Sequence, residues 1–252
     1  MSAHPADGYV LSARNYLEAD KLVLLYTLQF GKIRALVKGT RKPKSRLGSA
    51  LELFTESSLV LTKRPSGDLY LLTQAKMIQS HPRLKEDFPT ITLLQVMADL
   101  LIQSLQDGES DGDLYRLIQK TLRALEEAND SRETIFMSFV LKLLELMGHP
   151  LELELCAECQ SSLERRKAFL ISHRGGALCQ NCCATGPRRL QVTPSGLEIL
   201  KKMKSLPLEK IHILKMNDSS RKELFLTLLS YMEQTIEKPL KSLEYYLKVM
   251  PD

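Results

Sequence analysis

Four of the chain's five cysteines stand as two pairs, Cys156-Ala-Glu-Cys159 and Cys179-Gln-Asn-Cys182, with nineteen residues between them. A two-residue gap lets both thiolates of one pair reach a single ion. Two such pairs supply the tetrahedral four-sulfur shell that suits Zn2+. Four sulfurs leave no open position for water or substrate, so the expected zinc is structural. The intervening text agrees, because Ala168-Phe169-Leu170-Ile171 and Ala177-Leu178 flank Arg174-Gly175-Gly176, a turn that would return the chain as a ribbon hairpin. Disulfides are disfavoured in a cytosolic protein, and a thioredoxin-like pair would sit in βαβ text, which is missing. Cys183 could replace Cys182 at a spacing one residue longer, and His173 and His149 are weaker substitutes.

The second chemical feature is a density of charge. KGTRKPKSRLG, residues 38–48, carries Lys38, Arg41, Lys42, Lys44 and Arg46 with no acid among them. From Lys21 to Leu51 there are eight Lys or Arg residues and no Asp or Glu. A solvated loop tolerates such a run, and so does a surface for phosphates. Lys32, Arg34 and Lys38 begin by alternating with Ile33, Ala35 and Val37, so some of the charge would project from a strand face. Tyr9, Tyr16, Tyr26, Phe30 and Tyr70 are available for base stacking, although most of them read as core.

Catalytic patterns are missing from the text. It contains no H-E-x-x-H, no G-x-x-x-x-G-K-[ST], no G-x-S-x-G, and no H-x-E ahead of a cysteine pair. A binding protein is expected, and not an enzyme.

The elements that must position these groups follow from periodicity. Residues 9–16, 21–31, 32–39, 56–64 and 69–80 are short and rich in Val, Leu, Ile, Thr and Tyr. Gly31-Lys32 and Pro65-Ser66-Gly67-Asp68 supply hairpin turns. Five strands in about eighty residues fit a small barrel such as an OB-fold, though an SH3-like barrel would read much the same. After Ser80-His81-Pro82 the period becomes helical. One helix begins after Pro89, a second is capped by Asp111 or Asp113, and a third runs from Ser131 to Met147 and ends at Gly148. Beyond the cysteines, Thr193-Pro194-Ser195, Asp218 or Ser219, and Pro239 each open a helix. The fold class is therefore α+β: a barrel over 1–80, helices over 81–149, a zinc-ribbon insertion over 150–190 and further helices over 191–252.

The length suffices for a real core, and 44% hydrophobic with 26% charged residues is ordinary globular composition. The longest apolar run is the five residues Leu22–Tyr26, far short of a spanning helix, and the start of the chain has no secretory pattern. A cytoplasmic protein without a membrane is expected. The net charge of +5 divides into +6 over residues 1–80, −7 over 81–155 and +6 over 156–252. Two basic regions around an acidic middle favour polyanionic partners.

Taken in order, "KGTRKPKSRLG" followed by "LELFTE", and "CAECQ…FLISHRGGALCQNC" followed by "VTPSG", resemble the bacterial recombination mediator RecO family across essentially the whole chain. The resemblance implies an N-terminal OB-fold, a helical domain and a zinc-binding segment. It further implies binding of single- and double-stranded DNA and annealing of complementary strands. The implied partners are RecR, the acidic C-terminal tail of single-strand-binding protein and, indirectly, RecA, in RecF-pathway recombinational repair near the nucleoid. Carried onto this sequence, it points to Arg34, Lys38, Arg41, Lys42, Lys44 and Arg46 for DNA, and to Cys156, Cys159, Cys179 and Cys182 for the metal. Some members of that family lack the cysteines, which implies that zinc stabilises the ribbon and is not the source of activity. Arg116, Lys120 and Arg123 are candidates for receiving the acidic tail. The alternative from another class is a zinc-ribbon adaptor that works through protein contacts without touching DNA.

Overall fold

The computed structural model describes residues 2–39, 47–63, 67–128, 131–183 and 190–249. The chain forms two compact units, residues 1–115 with 240–252, and residues 116–239.

In the first unit, β1 (Ala3–Tyr16), β2 (Asp20–Thr27), β3 (Gly31–Val37), β4 (Glu56–Lys63) and β5 (Leu69–Gln79) close a barrel in the order β1-β2-β3-β5-β4. Every neighbouring pair is antiparallel except β3 with β5, which run parallel. A meander of hairpins produces only antiparallel neighbours. The parallel pair therefore separates this barrel from an SH3-like one and gives it the Greek-key order of an OB-fold. Alternation along the strands turns Val10, Val23, Leu25, Ile33, Ala35, Val37, Leu59, Leu61 and Leu72 into the interior. Fully burying each Val, Leu or Ile contributes roughly 1.5–3 kcal/mol.

Two details differ from the periodicity reading. β1 starts at Ala3, not at Tyr9, because Ala3–Tyr9 pairs with Thr62–Glu56 and closes the barrel. Pro5 and Gly8 lie in that stretch, and both have low strand propensity. The β2–β3 turn is Leu28–Gln29–Phe30, not Gly31-Lys32. Thr27 Oγ1 closes it by accepting from Phe30 N (3.0 Å) and donating to Gly31 O (3.1 Å), and Lys32 lies within the strand. Of the expected β4–β5 turn, Pro65 and Ser66 lie outside the described residues.

The barrel's unit also contains α1 (Phe88–Ser104) and α6 (Lys241–Val249), which pack on each other. Asp87 caps α1 by accepting from Thr90 N at 3.0 Å. α2 (Gly112–Glu127) starts in this unit and continues into the second. Asp111 caps it, accepting from the backbone of Asp113 (2.7 Å) and Leu114 (3.3 Å).

The second unit is built on α3 (Arg132–Leu146), whose Ile135, Phe136, Phe139, Val140 and Leu143 are all buried. α4 (Pro194–Ser205) and α5 (Asp218–Ile236) pack against it, with the Phe136 and Phe225 rings 5.8 Å apart. Ser131 makes no side-chain cap, but the expected stop holds. Gly148 takes φ +78, and His149 N donates back to Leu144 O at 2.8 Å, which satisfies an end carbonyl of α3. Thr193 caps α4, and Asn217, one residue ahead of the expected start, caps α5. A three-stranded antiparallel sheet of β6 (Ala168–Ile171), β7 (Gly176–Cys179) and β8 (Leu190–Val192) completes the unit, in the order β7-β6-β8.

Candidate metal centre and nucleic-acid interface

The ribbon brings one knuckle to the other through its backbone. β6 and β7 form the expected hairpin, turning through Ser172–Gly175. The strip before the first pair then docks on β7, with Ala177 N donating to Glu152 O (2.8 Å) and Ala157 N to Ala177 O (3.0 Å). Gly176 is required where these segments meet, since a Cβ there would stand 2.7 Å from Glu152 Cβ and 2.8 Å from its carbonyl oxygen. Cys156 N donates to Ser161 O (2.8 Å) and Gln160 N to Cys156 O (2.9 Å), curling the first pair into a knuckle.

The result is that the sulfurs of Cys156, Cys159, Cys179 and Cys182 all lie within 4.8 Å of one another. Sulfurs held at about 2.3 Å from a common ion stand about 3.8 Å apart in a tetrahedron. Cys159 Sγ and Cys179 Sγ are 3.8 Å apart, and with all four sulfurs within 4.8 Å the residues could hold a metal ion. Cys183, His149 and His173 are not members of this group. Four thiols this close cannot ionise independently. The hydroxyl of Ser161, 3.2 Å from Cys159 Sγ, and its backbone hold the Cys159 thiol down to about 6. The neighbouring sulfurs of Cys159 and Cys179 push Cys182 up to about 12. A bound cation removes that conflict by stabilising all four thiolates.

The outer face of the barrel presents the second site. With Val23, Leu25, Ile33, Ala35 and Val37 inside, their sequence neighbours point outward. Register then places Arg14, Leu22 and Leu36 in one row across β1, β2 and β3, and Leu24 beside Arg34 in the next, although Leu36 is itself covered and only Arg34 of β3 is exposed. Tyr16 faces Asp20 at the hairpin end of the same surface. Arg34 projects with its side chain 64% exposed, and Lys38 is exposed at the turn leaving β3. Gly39 N donates to Asp20 Oδ1 at 2.9 Å, so Lys38–Gly39 stands beside the β1–β2 hairpin. Arg41, Lys42, Lys44 and Arg46 lie outside the described residues.

Lys32 shares this outward orientation, but its charge is used internally. It is only 8% exposed, and its Nζ donates to the carbonyls of Ile102 (2.9 Å) and Leu105 at the end of α1. An ion pair with Asp107 at 3.1 Å completes its surroundings. A cation among the last carbonyls of a helix answers both unsatisfied acceptors and the helix dipole. The 107–109 segment covers this part of β3, with Gly108 N donating to Lys32 O at 2.9 Å. Asp107 also reaches Arg34, at 3.4 Å.

Among the expected stacking aromatics, Tyr9 and Tyr26 are fully buried. Tyr26 donates to Asp111 O (3.0 Å) and accepts from Asp111 N (3.1 Å), and burial pushes its hydroxyl up to about 12. Phe30 and Tyr70 pack partly buried against the core, 5.9 Å apart, whereas Tyr16 is 45% exposed. Arg14, exposed and on the same strand face as Tyr16, adds a cation to this surface, and its i, i+2 relation to Tyr16 is legible in the sequence.

On α2, Arg116, Lys120 and Arg123 are all exposed and fall on one stripe, with Lys120 paired to Glu209 at 3.8 Å. Among the described residues no helix is long and apolar enough to cross a membrane.

A barrel in OB order with a cationic outer face, joined in sequence to helices carrying a four-cysteine ribbon, has clear relatives. Residues 1–81 match the family described as Recombination protein O N terminal, and residues 85–244 match Recombination protein O C terminal. A DNA repair protein RecO from Pelotomaculum thermopropionicum is 34% identical over 96% of this chain and 93% of its own length. Proteins of the same name from Clostridium acetobutylicum (28% identical; 97% of both chains) and Desulfitobacterium hafniense (30%; 96% of this chain and 88% of the relative) are similar throughout. The chain belongs to the recombination protein O family.

Proposed function

We propose that this protein is a recombination mediator in DNA repair that binds single- and double-stranded DNA on the outer face of β1–β3 and on the 38–48 segment. The observation that carries the reading is the exposed pair Arg34 and Lys38 on the outward face of an OB barrel, leading directly into four further cations. In such barrels the face of strands 2 and 3, with its flanking loops, is where oligonucleotides lie. Annealing requires two polyanions held close without locking either. Lys and Arg neutralise phosphates and lower the repulsion, while weak base readout leaves the strands free to find register.

The proposed setting is cytoplasmic, at the nucleoid, with no catalytic turnover. With RecR, the protein would help RecA load onto DNA coated by single-strand-binding protein. The exposed stripe Arg116, Lys120 and Arg123 suits that protein's acidic tail. The ion in the thiol cluster would be Zn2+, held by Cys156, Cys159, Cys179 and Cys182 and serving only to fix the ribbon.

Charge reversal of Lys38, Arg41 and Lys42 together tests the patch. The expected outcome is a loss of oligonucleotide affinity and a salt slope shallower by about three, near one unit per phosphate contact. Unchanged binding at several salt concentrations sinks the assignment, and absence of any salt-dependent binding in the parent favours a protein-only adaptor. Strand annealing with and without single-strand-binding protein tests the mediator role.

A further inference from the structure

We infer that Tyr16, at the tip of the β1–β2 hairpin, is a base-stacking platform for single-stranded nucleic acid, with the exposed Leu17 beside it adding apolar surface. The inference rests on the nucleic-acid reading of the barrel and identifies where an unpaired base would sit.

The hairpin leaves the barrel surface before it turns. Ala13, Arg14, Asn15 and Tyr16 are all exposed, so neither face of the last turn of β1 is covered. Tyr16 is 45% exposed and Leu17 74%, two large apolar side chains side by side at a loop tip. Leu17 also takes φ +52. A branched aliphatic residue in the left-handed region is strained, at a position where Gly or Asn would be relaxed. Neither burial nor backbone comfort accounts for a leucine here.

The surroundings indicate the ligand. Arg14 is two residues from Tyr16 on the same face, and Arg34 lies on that face across the sheet. Lys38 precedes Gly39, which is bonded to Asp20, the residue opposite Tyr16. A strand whose phosphates follow Arg14, Arg34 and Lys38 would bring its bases to the hairpin tip. There the tyrosine ring offers a flat apolar face to any base, which is a sequence-tolerant contact. A duplex keeps its bases stacked inside and cannot use this platform. The contact therefore favours single strands, the form in which a strand must be held before it anneals.

The chain contains no tryptophan, so Tyr16→Trp places a single indole at the tip. The full-length variant is titrated with oligo(dT), following indole fluorescence and, separately, the anisotropy of a labelled oligonucleotide. Stacking predicts strong quenching that saturates with the anisotropy. Tyr16→Ala should weaken single-strand binding about tenfold, as loss of one stacked base does, with a much smaller effect on duplex. Leu17→Gly relaxes the backbone, so its thermal midpoint should hold or rise while single-strand affinity falls. Saturated anisotropy with an unquenched indole, or equal losses on single strand and duplex in Tyr16→Ala, overturns the platform alone. Absence of binding by the parent protein overturns the nucleic-acid reading and the platform with it.

Discussion

The barrel encloses eleven buried aliphatic residues within five strands, whereas the β6–β7–β8 sheet has strands of only four, four and three residues beside a cluster of thiols. One region owes its shape to a continuous hydrogen-bonded wall around a core of its own. The other is a thinner wall whose Ala168, Leu170, Ala177 and Val192 are buried, and whose cysteine knuckles would gain from an ion that draws four sulfurs together. The difference decides what each can spare for function. Apart from Lys32, which is bonded to the end of α1, the barrel's outer cations Arg34 and Lys38 are exposed and can meet a ligand. The ribbon's thiols, if they hold the proposed ion, would be committed to holding the ribbon.

The sharpest way to break the comparison is to remove the Zn2+ proposed for the thiol cluster. Apparent binding free energies of structural zinc sites in small domains are about 10 kcal/mol or more at neutral pH. Chelation, or Cys156→Ser at a fully buried sulfur, should therefore unfold the ribbon locally and abolish the bound metal. Oligonucleotide binding by the barrel should stay within about twofold, as the barrel and the ribbon belong to separate compact units. Metal analysis, limited proteolysis of residues 151–183 and anisotropy measure the three quantities. The pH dependence has a definite sign. The thiols must lose protons to bind, so metal is retained at neutral pH and released as acidity rises.

Next in size is a change to the barrel wall. Gly31 takes φ +60, and a Cβ there would stand 1.9 Å from the carbonyl oxygen of Glu109. No side-chain movement relieves a clash with backbone. Gly31→Ala should cost about 3 kcal/mol, seen as a lowered urea midpoint, while zinc content stays unchanged. A loss of metal would mean that the two regions are less independent than their separate cores indicate.

A smaller effect sorts the barrel's own cations. Lys32→Met removes the donor to the last carbonyls of α1 and to Asp107, worth about 2 kcal/mol of stability. Its effect on DNA affinity should be slight, because a side chain already enclosed by acceptors has nothing left for a phosphate. Equilibrium unfolding and anisotropy on the same variant read both.

The same lysine shows where sequence reading stops. Local period and spacing foretold five strands, the four-thiol group and most helix ends, because those depend on neighbours a few residues away. The text around Ile33, Ala35 and Val37 correctly turned Lys32 outward. It carried no sign that a segment some seventy-five residues later would cover it. The parallel β3–β5 pair and the early start of β1 were hidden for the same reason, since both arise from pairings distant in sequence. Arg34 and Lys38 were legible as surface cations. The competition between Arg34 and Lys32 for Asp107 was not.

That competition supports the finest test. Arg34 is largely exposed, and its pairing with a half-exposed Asp107 at 3.4 Å adds little to stability. Arg34→Ala should therefore change the unfolding free energy by less than about 0.5 kcal/mol while reducing the salt slope of DNA binding by about one. Asp107→Asn works in the opposite direction on DNA. It keeps an acceptor near Lys32 Nζ and releases the guanidinium, so affinity for DNA at low salt should rise by about two- to threefold. If Arg34→Ala instead lowered stability as much as Lys32→Met, the guanidinium would be part of the barrel's wall. The division between its inward and outward cations would then fall one strand position further out.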